Sequence, residues 1–148
     1  MTIKVYIDTN VFIEGFEKLG DMPDIARAVF EIVKNGVVAA VISDLVVAEL
    51  LVKPLQTADQ ELIDAYSELL SSPKGYQSCP IDRNTLLEAA RQRAINPGTK
   101  LPDAIHIATA RLHNCKVFLT TETRLRMPHD LIRLNLDAST ITDIDALA

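Results

Sequence analysis

The sequence predicts an α/β fold around a mainly parallel sheet, and three observations point there. Short β-branched runs alternate with longer stretches of helical periodicity. The second of those runs has no polar face, which suits a parallel sheet covered on both sides. The breaks are short turn clusters, Ser71-Ser72-Pro73-Lys74-Gly75 and Asn96-Pro97-Gly98, so no linker or repeat divides the chain. With 148 residues, 48% of them apolar, there is material for one core, and residues 1–148 are expected to form a single domain.

The elements follow in order. Residues 3–7, Ile-Lys-Val-Tyr-Ile, are β-branched and aromatic enough for a strand. Ile25, Ala28, Val29, Ile32 and Val33 recur at helical spacing over residues 24–35, and Gly36 supplies the stop. Residues 37–42 form the wholly apolar strand, which gives strand, helix, strand with a right-handed crossover. Helical spacing returns over residues 44–52, 58–70 and 84–94, with a weaker strand at 76–81 between the last two. A further helix starts near Pro102, an allowed first-turn proline, and runs to about Asn114. Residues 116–120 and 131–136 read as the last strands.

Charge and composition narrow the function. A formal net charge of -5 argues against polyanion binding through net charge alone, so a nucleic-acid role needs local basic patches or a metal. The apolar stretch before Asp8 is too short for a signal-peptide core, and the run Val37 to Ile42 falls far below the roughly 20 residues of a membrane span. A soluble, cytoplasmic protein is expected. Cys79 and Cys115 have no zinc-type spacing and read as two reduced, at least partly buried thiols.

In an open α/β sheet, ligands sit outside the carboxyl ends of the strands, which directs attention to the acids there. Asp8 ends the first strand and is followed by Thr9 and Asn10, short polar side chains able to orient a carboxylate; its plainer role is a helix cap. Glu49 lies in Leu45-Val46-Val47-Ala48-Glu49-Leu50-Leu51-Val52, with apolar residues on every side and no solvated face to hold it. An i,i+4 pair with Lys53 is the alternative. Asp103 sits where a helix macrodipole favours an acid, and Glu122 follows the strand at 116–120 in a composition suited to a helix start. Glu14, Glu17 and Asp21 fit an exposed surface and stay outside the site, Ser43 fits a cap of the helix bearing Glu49, and His106 reads as a satisfied structural residue.

Four acids without a Cys or His ligand set form an oxygen-rich pocket, which favours Mg²⁺ or Mn²⁺ over zinc. Such ions activate water and stabilise the leaving oxygen of a phosphodiester, so metal-assisted phosphoryl hydrolysis is the indicated chemistry. An aspartyl-phosphate phosphatase would need a second Asp two residues after the first, where this chain has Asn10.

Across nearly the whole chain these segments resemble the PIN domain family. Ile7-Asp8-Thr9-Asn10-Val11 resembles its first acidic motif, Ala48-Glu49-Leu50 its second, the stretch from Leu101-Pro102-Asp103-Ala104 to Ala110 its third, and Leu119-Thr120-Thr121-Glu122 its fourth. The resemblance implies a three-layer α/β/α sandwich, PIN-like, with a divalent-metal ribonuclease site of Asp8, Glu49, Asp103 and Glu122 supported by Asn10 and Thr120. It also implies the VapC-like group of small toxins, which cleave RNA, are restrained by a cognate antitoxin and form homodimers. The fourth acid of the family is usually Asp, and Glu122 adds a methylene. Lys53, Arg91, Arg93, Lys100, Arg124 and Arg126 are the candidates for contacts to RNA phosphates. The competing reading is a PIN-like module that binds RNA or a protein without cutting.

Overall fold

The structure is a computed structural model that describes residues 2–71 and 73–148; Met1 and Ser72, the latter inside the expected turn cluster, lie outside the described residues. Five strands, β1 (Lys4–Ile7), β2 (Ala39–Ser43), β3 (Tyr76–Cys79), β4 (Val117–Thr120) and β5 (Ile132–Asn135), form one all-parallel sheet in the order β3-β2-β1-β4-β5. Seven helices accompany them: α1 (Thr9–Glu17), α2 (Asp21–Lys34), α3 (Leu45–Thr57), α4 (Gln60–Leu70), α5 (Arg83–Ile95), α6 (Leu101–Leu112) and α7 (Thr140–Leu147).

The two-residue period of the strands divides the core into two faces. Val5 and Ile7 of β1, with Ala40, Ile42, Val117 and Leu119, pack against Val11, Phe12, Val29, Val46 and Ile144 from α1, α2, α3 and α7. Tyr6, Val41 and Phe118 point the other way, onto Ile107 and Ala110 of α6, and α5 packs its Ala89 with Ala104 and Ala108 of α6. Tyr6 and Phe118 stack with ring centroids 5.0 Å apart. The result is the expected α/β/α sandwich. Because the chain moves outward from β1 to β3 and then returns to place β4 on the other side of β1, the strand order reverses between β1 and β4. The carboxyl ends of those two strands therefore open into the crevice where such sheets bind ligands.

The structure differs from the sequence-based expectation at several elements. Two helices, not one, link β1 to β2, with α2 starting at Asp21. Helix α3 continues past Lys53 to Thr57 with Pro54 inside its last turn, and it ends at Ala58, which adopts a left-handed conformation with φ 54°. The composition at residues 120–124 makes a turn and no helix. Helix α7 went unpredicted; Thr140 and Ile144 are buried on it, and Ile141 and Leu147 pack against the same core. Among the described residues, no helix is long and apolar enough to cross a membrane. Cys79 and Cys115 are free and buried, as expected.

Candidate functional site

Asp8 is the first residue beyond β1, and its backbone N–H still donates to the Leu119 carbonyl, so β4 fixes it from one side. The side chain is only 5% exposed. Its Oδ1 accepts the Thr9 N–H at 2.9 Å, which is the cap of α1, while Oδ2 accepts the Thr120 hydroxyl at 2.8 Å and the Asn10 amide at 3.3 Å. Asp8 thus caps a helix with one oxygen and is clamped to the end of β4 through the other. Asn10 completes the clamp: its Oδ1 accepts the Thr121 N–H at 3.0 Å, and Thr120 Oγ1 accepts the Glu122 N–H at 3.0 Å. Asn10 and Thr120 stitch the two strand ends together.

Glu49 does not fit the expected burial. Val47 and Val52 on α3 are exposed, so the helix has an outer face despite its apolar composition, and the Glu49 side chain is 34% exposed. The alternative pair with Lys53 is also absent, since Lys53 meets Glu17 at 3.2 Å. Glu49 Oε1 instead accepts the Thr9 hydroxyl at 2.7 Å and lies 2.5 Å from His106 Nε2.

His106, read from sequence as a structural residue, is the correction that matters most. It is 1% exposed on α6, its Nδ1 meets the Tyr6 hydroxyl, and its Nε2 lies 3.9 Å from Asp8 Oδ1 as well as against Glu49. Burial pushes the Tyr6 phenol up, so it keeps its proton; its oxygen accepts the Ser43 N–H at 3.1 Å. The Tyr6 hydroxyl thus occupies Nδ1, and Nε2 faces Glu49. The signal for this was present in the strand alternation: Tyr6 and Asp8 share a face of the sheet, and His106 lies one helical turn from Asp103.

Asp103 is half-buried in the first turn of α6. Burial first, and then the charge of Asp8, hold its carboxyl above the usual range, with Glu49 and Glu122 adding and His106 opposing. Asp8 is raised as well, by burial and by Glu49, against the opposing effects of His106, Thr120 and Thr9. For Glu49, the burial cost is outweighed by the His106 bond and charge and by the Thr9 hydroxyl, so its carboxyl lies below the usual range. The four acids thus act on one another electrostatically. Glu122 stands on an exposed turn with Oε1 accepting the Arg124 N–H at 3.2 Å, and it shares a cavity of about 520 Å³ with Asp103.

Among the described residues no three carboxylate or imidazole groups converge into a ready-made ligand set. A hard divalent cation does not require one, because magnesium is commonly held by one or two carboxylates with water completing its shell. Asp8 and Asp103 supply oxygen donors whose ionisation is resisted by burial and by each other, so the donor chemistry fits such an ion. Glu14 and Glu17 depart from the exposed surface expected of them: their side chains are only 14% and 10% exposed, with Glu14 paired to Lys18 at 2.9 Å and Glu17 accepting the Tyr66 hydroxyl at 2.6 Å. Ser43 Oγ accepts the Leu45 N–H at 3.1 Å, but it stands one residue before the N-cap of α3, which is Asp44 and not the expected Ser43.

Comparisons with known proteins agree with this architecture. A toxin–antitoxin complex from Klebsiella pneumoniae superposes with a TM-score of 0.64 at 22% identity, covering 86% of this chain and 95% of the other. VapBC2 from Rickettsia felis, bound to a DNA fragment from its promoter, gives 0.68 at 18% identity, with 91% and 100% covered. DNA-bound VapBC from Salmonella typhimurium gives 0.70 at 17% identity, with 92% and 100% covered. No curated protein sequence matches the chain significantly. The family model for the PIN domain matches residues 5–128, a span that holds every strand end and acid described above except the edge strand β5, and the chain belongs to the PIN domain family.

Proposed function

We propose that this protein is a divalent-metal-dependent ribonuclease that hydrolyses RNA phosphodiester bonds and acts as the toxin of a toxin–antitoxin pair. The observation that supports this reading is Asp8 at the strand switch point, with Asp103 of α6 close enough to feel its charge and both carboxyls raised by burial and by acidic neighbours. PIN domain proteins are generally nucleases, and the toxin–antitoxin assemblies among the similar structures support an antitoxin as partner. The reading includes a single domain over residues 1–148, a homodimer and a cytoplasmic location.

Asp8 and Asp103 would hold Mg²⁺ or Mn²⁺, with Glu122 at the rim. When bound, the ion supplies an activated water and charge stabilisation for the leaving oxygen. Thr120, Asn10 and the Thr9 N–H keep Asp8 in place before any ion arrives. Thr9 and His106 both engage Oε1 of Glu49, which leaves Oε2 to accept a proton from the attacking water. A second reading, a PIN module that binds RNA or protein without cutting, is favoured by the absence of a preformed three-group ligand set among the described residues. Highly purified protein incubated with RNA separates the two. Cleavage with Mg²⁺ or Mn²⁺, lost in EDTA, supports the nuclease; intact RNA at every metal concentration supports the binding module.

A further inference from the structure

The six basic residues singled out by sequence are sorted by the structure into two groups. Lys53 is paired with Glu17, Arg91 with Glu88 at 3.2 Å, and Arg93 directs its Nε to the Thr99 carbonyl at 3.0 Å. Lys100, Arg124 and Arg126 make no ion pair among the described residues, and all three line the 520 Å³ cavity that Asp103 and Glu122 border. Lack of an ion pair is common on this surface, since Lys34, Lys74 and Arg83 also have none among the described residues; what sets these three apart is that they line one hollow, where clustered cations favour an anion.

The hollow is also held in shape. Its loop between α5 and α6 is closed by the Thr99 N–H on the Asn96 carbonyl at 3.0 Å and by the Arg93 bond to Thr99. Its far wall is fixed by Gln92 Nε2 on the Arg126 carbonyl and by Arg133 on the Leu125 carbonyl at 2.7 Å. Ile95, Pro97 and Leu125 add apolar lining. A cavity with cationic walls, apolar patches and a pinned frame matches one nucleotide unit: phosphate to the cations, sugar and base to the apolar residues.

We propose that this cavity binds the nucleotide adjacent to the scissile phosphate of a single-stranded RNA, with Lys100, Arg124 and Arg126 on its phosphate. The proposal rests on the ribonuclease reading above and adds to it a direction: the strand is gripped on the α6 and β4 side of the acids. Lys53, a basic candidate outside this cavity, is occupied by Glu17.

The test is the binding of a short fluorescein-labelled single-stranded RNA by anisotropy in EDTA, where no cleavage is needed for a signal. Arg124→Ala/Arg126→Ala should weaken binding about 10-fold or more, and adding Lys100→Ala should bring the total loss of salt slope of log K to about 0.7, the contribution of one phosphate contact to a single strand. Arg83→Ala is the control, an exposed arginine about 18 Å along α5 from Ile95 at 1.5 Å per residue. It should change affinity less than about 2-fold. Thermal melts confirm that each variant is folded. Equal losses from Arg83→Ala and from the cavity variants, or no loss from the cavity variants, would overturn the proposal. The two readings separate, because a protein that binds RNA through this cavity yet never cuts it defeats the nuclease assignment alone. A nuclease whose KM and RNA affinity ignore the cavity variants defeats this inference alone.

Discussion

His106 Nε2 lies 2.5 Å from Glu49 Oε1, so a side chain 1% exposed holds a carboxylate whose side chain is 34% exposed. The hold continues inward through the Tyr6 hydroxyl to the Ser43 backbone, and thus ties the outer helix α3 to the centre of the sheet. Buried and held between Tyr6 and Glu49, His106 acts through Glu49.

His106→Gln should therefore preserve more activity than His106→Asn, because the longer amide can place its NH₂ where Nε2 stands and the shorter one cannot. Loss of an outer partner of this kind typically costs 10–100-fold, and His106→Asn is expected within about that range in kcat with KM little changed. Steady-state kinetics on an RNA substrate checks this. Equal activity in the two variants would remove His106 from the positioning role.

Tyr6→Phe leaves the Ser43 N–H without its acceptor inside the core. A buried donor stripped of its partner costs about 1–3 kcal/mol, which urea unfolding of metal-free protein would show as a lower midpoint at unchanged m.

The acids should differ in weight. Asp8 is clamped by three hydrogen bonds and buried, whereas Glu122 stands on an exposed turn and carries an extra methylene relative to the family pattern. Glu122→Gln should lose less activity than Asp8→Asn when both are measured at saturating metal. Indistinguishable losses would make Glu122 as central as Asp8.

Metal-free stability carries a sign. Asp8 and Asp103 have folded pKa values above the ordinary 3.8, so their favourable contribution is full below that pH and is lost as pH rises through the folded values. Once pH has risen through those values the metal-free site is strained, while Glu49, lowered by His106, works in the opposite direction. Asp8→Asn should accordingly raise the melting temperature in EDTA, and Mg²⁺ should stabilise the wild type more than the variant. A thermal-shift titration decides: a lower melting temperature for Asp8→Asn, with equal Mg²⁺ shifts, would leave Asp8 as a helix cap only.

Much of this was legible in the sequence because strand ends and acids are written in short local patterns. The runs at 3–7 and 116–120 located β1 and β4, and hence the crevice that holds Asp8 and Thr120. What was missed depends on contacts between distant elements. His106 looks like any histidine on an apolar helix until Tyr6, a hundred residues away, is seen to fill its inner nitrogen. Glu49 seemed buried because composition shows apolar neighbours but not which of them a packed helix leaves exposed. Helix α3 runs past the apolar pattern at 44–52 because its last turn tolerates Pro54, and α7 was hidden in an acidic stretch in which only Thr140 and Ile144 are buried.

The most direct test of the central claim is the rate of RNA cleavage in Mg²⁺ by wild type, Asp8→Asn and Asp103→Asn, read beside the Mn²⁺ affinity of each by calorimetry. Both variants should lose more than about 100-fold in rate, beyond the cost of an outer partner, and bind Mn²⁺ more weakly. Cleavage that persists at the wild-type rate in either variant, or in excess EDTA, would contradict a metal site built on Asp8 and Asp103.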